Sequence, residues 1–259
     1  MALVDYHSKG KIGYITLNRP EKLNAFSDAV SAELADALHS LNDDNIAEVG
    51  ILSGNGRAFC SGADVKQRQL RPKEEIEKLG QVAGREGALW APAIFRASKS
   101  KPLIAAVHGY AYGVGLKMAL YSDLLVASKG CKFQVTEVPR GINGVPFWTM
   151  LCQLGLGAFA NDVCITGRTW LAEEAFEIGM VNRLAEPGKH MEEAESLAAA
   201  IIENPPLAVR AVVEARRRAL EEGEVKSYGI RPRGLHLSED FRESARAFVE
   251  KRKPEFHGR

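Results

Sequence analysis

Two segments carry residue types at a spacing suited to chemistry on a carbonyl group. One is Arg57-Ala58-Phe59-Cys60-Ser61-Gly62-Ala63-Asp64-Val65-Lys66; the other is His108-Gly109-Tyr110-Ala111-Tyr112-Gly113-Val114-Gly115-Leu116-Lys117. Each follows an apolar run, residues 49–53 and 103–107, and its glycines let the backbone turn sharply with N–H groups pointing outward. Two such N–H groups converging on one point make an oxyanion hole, where losing one donor typically costs ~10²–10³ in turnover. Taken singly, each segment also reads as a plain tight turn between strand and helix, the commoner use of such glycines. Neither is a dinucleotide fingerprint, because Met118 stands where the glycine after Gly113-Val114-Gly115 belongs. Gly10-Lys11 and Gly188-Lys189 are followed by Ile12 and His190, so no Walker A phosphate loop exists either.

The elements that must position these segments follow from hydrophobic patterning. Residues 3–7 and 12–17 flank Ser8-Lys9-Gly10-Lys11 as a hairpin. Ser27 stands as the N-cap of a helix in which Val30, Leu34, Leu38 and Leu41 recur at helical spacing. Strands are predicted at 49–53, 103–107 and 124–127; each leaves through a glycine turn into a new element, a weak internal repeat. Residues 66–78 are charged and lack periodicity, which reads as a mobile loop, and residues 85–97 as a helix. A helix over 116–122 follows the second glycine segment. From Val145 onward helical patterns dominate, with a strand-like piece at 181–184, a helix at 207–222 after Pro205-Pro206, and a last helix at 239–252. Strands separated by helices indicate an α/β core. The helical tail after about Met191 has little sheet to cover and suits packing on the core or on another subunit.

The chain has 259 residues, 46% hydrophobic and 26% charged, an ordinary globular composition for one large domain or a domain with an appendage. Its 34 basic against 33 acidic residues give a net charge of +1, which argues against a nucleic-acid binder. Cys60, Cys131, Cys152 and Cys164 lack paired short spacing, so free thiols in a reducing compartment are expected rather than zinc or a disulfide framework. The first residues lack a basic segment followed by an apolar run, and no window approaches the ~20 apolar residues of a membrane span. A cytoplasmic location is expected, with no membrane contact.

Taken together, in order and spacing, the motifs resemble the crotonase (enoyl-CoA hydratase/isomerase) family. Asn18-Arg19-Pro20 with Lys22-Leu23-Asn24-Ala25 is similar to the family's opening motif, residues 59–66 to its first oxyanion loop and residues 108–115 to its second. Thr166-Gly167-Arg168, Glu173-Glu174-Ala175, Gly179 and Val181-Asn182 match its later helix-turn-strand pattern. Ser238-Glu239-Asp240 and Ala247-Phe248-Val249-Glu250-Lys251-Arg252-Lys253 resemble its C-terminal helix. The resemblance runs from about residue 10 to the C-terminus. It implies a crotonase-like spiral of βαβ units over residues 1–190 holding an acyl-CoA site, and a C-terminal helical region, 191–259, used in trimerisation as a homotrimer or homohexamer. The implied substrate is an acyl-CoA thioester whose enolate is stabilised; coenzyme A is part of the substrate, and no metal or redox cofactor is implied. By motif position the oxyanion donors are the N–H groups of Ala63 and Val114. Lys22, Ala63, Asp64, Val65 and Lys66 line the coenzyme A side. Phe248 and Lys251 match tail positions that reach coenzyme A from a neighbouring subunit; on their own they read as helix core and a solvated charge.

The sequence departs from the family at consequential places. The family's hydratases use two glutamates; the second matches Glu137, but the position of the first holds Lys117. Water addition across a conjugated double bond benefits from two acid/base groups, whereas one carboxylate suffices to move a proton between two carbons. Single-base isomerisation through Glu137 is therefore favoured over two-acid hydration. The alternatives are a decarboxylase or hydrolase in which Lys117 holds a substrate carboxylate, and a non-catalytic acyl-CoA- or RNA-binding homologue. Lys117 has three readings: an ion pair with Glu137 that lowers its pKa, a carboxylate clamp with Arg140, or a solvated helix residue. Val114 occupies the middle of what is usually a glycine triplet, where its β-branched side chain takes up room. Phe147 and Trp148 read as core, or else as walls of the acyl pocket. His108 reads as a hydrogen-bonded turn histidine, Asp123 as a cap or pair within its turn, and Arg216-Arg217-Arg218 as a solvated helix face.

Overall fold

The computed structural model describes residues 2–68, 70, 72, 74–75, 100–230 and 235–259. The expected hairpin forms: β1 (Val4–Lys9) pairs antiparallel with β2 (Ile12–Leu17), which alternates buried and half-buried side chains. Ser27 caps α1 (Asp28–Asp43) as predicted, its Oγ accepting from the Val30 N–H at 3.2 Å. The helix buries Val30, Leu34, Leu38 and Leu41. β3 (Val49–Gly54) lies parallel to β2, with Leu17 opposite Gly54. The chain then enters the first glycine segment and α2 (Val65–Arg68), a short helix where a loop was expected. Asp64 Oδ1 accepts from the Gln67 N–H at 3.4 Å, capping it as aspartate commonly does. Most of the rest of that expected loop, and the helix expected over 85–97, lie outside the described residues.

β4 (Leu103–Val107) and β6 (Leu124–Ser128) extend the sheet with parallel pairing, and β9 (Arg183–Ala185) closes it, two residues later than its predicted start. The order is β1-β2-β3-β4-β6-β9. The continuous apolar runs of β3 and β4 are what a strand covered on both faces requires. A second, smaller sheet is built from β5 (Tyr110–Tyr112), β7 (Lys132–Gln134) and β8 (Thr169–Leu171), and a Cys60–Ala111 bridge adds the first glycine segment to it. The weak repeat thus has a structural meaning. After β3, β4 and β6 in turn, the chain steps from the large sheet to the small one, to Cys60, β5 and β7, and this stepping makes the spiral. Between β5 and β6 runs α3 (Val114–Tyr121), which starts two residues earlier than predicted.

Past Glu137 come α4 (Val145–Gln153), α5 (Gly157–Thr166) and α6 (Ala172–Glu177). α7 (His190–Ile202) lies across the large sheet, with Ala194 and Ala198 against Val49, Ile51, Ile104, Ala106 and Val126. α8 (Pro206–Ile230) runs well beyond its predicted end and packs on α4; α9 (Glu239–Glu250) packs on the 3-10 turn Val138–Arg140. Two of the three arginines expected on a solvated face are instead half-buried: Arg216 Nη1 lies 3.2 Å and Arg217 Nη2 2.5 Å from the Asp123 carboxylate. Asp123 also accepts from the Leu103 N–H at 2.8 Å. It therefore pairs across to α8 rather than within its own turn. No single helix among the described residues is long and apolar enough to cross a membrane.

Candidate active site

The two glycine segments meet backbone to backbone. A Cβ on Gly115 would lie 2.5 Å from the Cys60 carbonyl oxygen, so only glycine admits this approach. Gly113 has φ +49 and would place a Cβ 2.4 Å from Thr136 Oγ1 and 3.4 Å from Glu137 Oε1, which sets the Glu137 carboxyl against the start of α3. Ala63 forms a parallel bridge with Phe26 whose hydrogen bonds are made by its neighbours, Phe26 N–H to Gly62 O and Asp64 N–H to Phe26 O. The Ala63 N–H is thereby turned to the other side of the strand. Val114 opens α3, whose first intrahelical bond runs from the Lys117 N–H to Gly113 O at 2.9 Å. The N–H groups of Val114, Gly115 and Leu116 stand outside that ladder, at the positive end of the helix. The Val114 side chain is 5% exposed and belongs to the hydrophobic core, so its extra bulk goes into packing.

Glu137 precedes the 3-10 turn Val138–Arg140, and its Oε2 is buried without a hydrogen-bond partner among the described residues. Burial pushes its carboxyl up to about 7; its own backbone, the Lys117 charge and Thr136 act in the opposite direction. A carboxyl at that value takes and returns a proton near neutral pH. Cys164 stands close enough to feel its charge and stays a thiol, since burial pushes it up to about 12.

Lys117 is 8% exposed, which removes the solvated reading. Its ammonium lies 2.5 Å from Oε1 of Glu224, a residue of α8 that is 1% exposed. One of the readings of Lys117 paired it with Glu137; the structure pairs it with Glu224, and its charge lowers the Glu137 carboxyl against the larger effect of burial. The ammonium also lies 5.7 Å from the Tyr121 ring centroid and 6.0 Å from that of Phe147. Arg140 stacks on the Phe248 ring at 3.8 Å, which directs it toward α9. Sequence reasoning missed Glu224. The signal was present: Val213, Leu220 and Ser227 are buried, and Glu224 falls on that same stripe of α8. Phe147 is core as read, whereas Trp148 is 42% exposed and donates to Asn161 Oδ1 at 2.7 Å.

Residues 19–26 run beside residues 61–64, joined by Ser61 N–H to Leu23 O and Phe26 N–H to Gly62 O. That pairing brings Lys22 and the residues Asp64, Val65 and Lys66 to one edge of the first loop. Lys22 and Lys66 are exposed there, while Asp64 is held by Arg19 at 3.0 Å. Phe248 is 55% exposed beneath Arg140, and Lys251 is exposed at the C-cap of α9. His108 behaves as a turn histidine, Nε2 lying 3.0 Å from Gly56 O and its ring stacking on His190 at 4.6 Å. Cys60, Cys131, Cys152 and Cys164 are free thiols.

Residues 7–259 match the family described as enoyl-CoA hydratase/isomerase. A probable enoyl-CoA hydratase of Rhizobium meliloti is 34% identical over 256 residues, covering 97% of this chain and 96% of that one. A carnitinyl-CoA dehydratase of Salmonella arizonae is 36% identical over 261 residues, covering 96% of each. Among solved structures, a carnitinyl-CoA dehydratase from Mycobacterium avium superposes with a TM-score of 0.81 at 32% identity, covering 100% of both chains.

Proposed function

Since the chain belongs to the enoyl-CoA hydratase/isomerase family, we propose that its acyl-CoA chemistry runs through an enolate held by the Ala63 and Val114 N–H groups, with Glu137 moving the proton. Two dipoles aimed at the thioester oxygen lower the energy of the charge that develops there. Glu137 removes a proton from the α-carbon of a 3-enoyl thioester, and the electron pair spreads through the double bond onto the oxygen. Returning that proton to the γ-carbon yields the conjugated 2-enoyl thioester. The observation that carries this reading is the buried Glu137 carboxyl beside Gly113, raised to about 7. Ala63, Asp64, Val65, Lys66 and Lys22 line the coenzyme A side, and Phe248 and Lys251 serve the site of a neighbouring copy in a homotrimer or homohexamer.

Isomerisation is favoured because the family's first glutamate position holds Lys117, and Glu224, a buried carboxylate among the described residues, is engaged by that lysine. The same pairing weakens the decarboxylase reading, since the Lys117 charge is already matched. Hydration is the second reading, favoured by the names of the relatives, a hydratase and a dehydratase. Absorbance of the conjugated thioester separates the two. Signal gained from trans-3-hexenoyl-CoA reports isomerisation; signal lost from crotonyl-CoA reports hydration. E137Q should lower kcat on the active substrate by roughly 10²–10⁴-fold; a fully active E137Q would sink the mechanism.

A further inference from the structure

Ala63 is fixed from both sides by a neighbouring segment. Gly62 O accepts from the Phe26 N–H at 2.8 Å and the Asp64 N–H donates to Phe26 O at 3.0 Å, so the peptides flanking Ala63 take their angle from Phe26. Gly62, at φ +102, would place a Cβ 3.2 Å from the Tyr112 carbonyl oxygen, which sets the same stretch against the second glycine segment two residues before Val114. One side chain spans this bridge. Arg19 Nη1 lies 3.0 Å from Asp64 Oδ2 and 3.3 Å from Ala25 O, gripping the residue after Ala63 on one strand and the residue before Phe26 on the other. Its Nε lies 3.8 Å from the Glu21 carboxylate, which is exposed. Arg19 is itself seated by backbone: its N–H donates to Asn24 Oδ1 at 2.8 Å, and its carbonyl accepts from the Lys22 and Asn24 N–H groups. Leu23 and Asn24 hold φ +50 and +53, a left-handed conformation that persists in such residues only where the surroundings impose it. Asp64 Oδ1 meanwhile caps α2, so both of its carboxylate oxygens are engaged within the chain.

We propose that Arg19 is a positioning residue for the oxyanion hole: by tying Asp64 to Ala25, it holds the Ala63 N–H at the angle from which it donates. The proposal rests on the reading of Ala63 as an oxyanion donor. A donor contributes according to its alignment with the oxygen that gains charge. On the N-terminal side of Ala63 stands a glycine, which leaves the peptide free to turn. Arg19 removes that freedom from the C-terminal side, where Asp64 follows Ala63 directly.

The test reads the thioester carbonyl. Butyryl-CoA has no double bond to hydrate or shift, and an isotopic label at its carbonyl carbon isolates the infrared stretch of that group. Hydrogen bonds in the hole weaken the C=O bond, so binding to the wild-type enzyme should move the stretch to lower wavenumber. In R19M about half of that shift should be lost, the share of one of two donors. D64N breaks the same tie while asparagine still caps α2, and should lose as much. R19M/D64N should lose no more than either alone, as two residues acting through one contact do. On whichever of trans-3-hexenoyl-CoA and crotonyl-CoA the wild-type enzyme converts, kcat should fall by up to ~10²-fold in R19M, with KM changed far less. R19K, which keeps a charge and a donor, should recover part of both losses. A pair that serves folding alone would lower the melting temperature and leave the bound carbonyl where the wild type puts it. A folded R19M with the full shift therefore overturns the proposal. Should R19M fail to fold, D64N takes its place, and the full shift there overturns it equally. An unshifted carbonyl in the wild-type enzyme defeats the oxyanion hole and the role of Arg19 with it, whereas a shifted wild type beside an equally shifted R19M defeats only Arg19.

Discussion

At Gly115 the absence of one carbon lets two loops touch. A methyl group there would meet the Cys60 carbonyl at 2.5 Å, backbone against backbone, and only a shift of one loop relieves the clash. That shift moves the Val114 N–H relative to the Ala63 N–H, so G115A should lose about what one oxyanion donor contributes, ~10²–10³ in kcat. Circular dichroism should show the fold retained; a G115A enzyme with normal kcat would mean that the two donors need no shared alignment. Glu137 makes a prediction of its own. It must be ionised to take a proton, and its carboxyl is raised to about 7, so kcat/KM should climb as pH rises through that value and level off above it. A limb near the ordinary carboxylate value would show that burial does not govern this group. Ala63, Val114, Glu137 and Lys117 entered as candidates through the resemblance of their motifs to the crotonase family, since Glu137 by itself reads as a surface carboxylate. Glu224 did not, because its meaning lies in a partner 107 residues away.

Asp123 shows the same limit at the scale of elements. It stands at the junction of α3 and β6, and through the Leu103 N–H and two arginines it ties β4 to α8. Charges at helical spacing look alike whether they face water or a buried carboxylate, so Arg216 and Arg217 read as solvated until their partner is placed. D123A would remove the carboxylate shared by two half-buried guanidinium groups and should cost roughly 3–5 kcal/mol in urea unfolding, the range for a broken buried pair. A loss below about 1 kcal/mol would class the network with surface ion pairs. What the sequence did reveal at this scale were elements long enough to show a period: the N-terminal hairpin, α1 with its Ser27 cap, and the doubly buried β3 and β4. β5, β7 and β8 have three residues each, too few for alternation to register, yet they form the second layer that turns a row of strands into a spiral. The weak repeat of strand and glycine turn was the trace they left.

For the molecule as a whole, two titratable groups shifted by burial pull stability in opposite directions with pH. Burial, with some help from His108, lowers His190 from 6.5 to about 4; the unfolded chain then binds the proton more readily, and stability is lost as pH falls through that window. Glu137 is raised from 4.5 to about 7, so the folded state holds its proton more tightly, and stability is lost as pH rises from 4.5 through 7. The rise at Glu137 corresponds to roughly 3 kcal/mol at neutral pH and above, stability given up to keep a carboxylate where the chemistry needs it. Glutamine at the same position carries no charge to desolvate. E137Q should therefore melt several degrees above the wild-type protein at pH 8, where the burden of burying the charge is complete. The gap should close as pH falls below 4.5, where Glu137 is protonated in both folded and unfolded chains. His190 keeps its own acid-side slope in both proteins, so the difference between the two melting curves isolates Glu137. Melting temperatures that coincide at pH 8 would show that the Glu137 carboxylate is solvated in the folded protein, and the raised value on which its role as a base depends would fall with them.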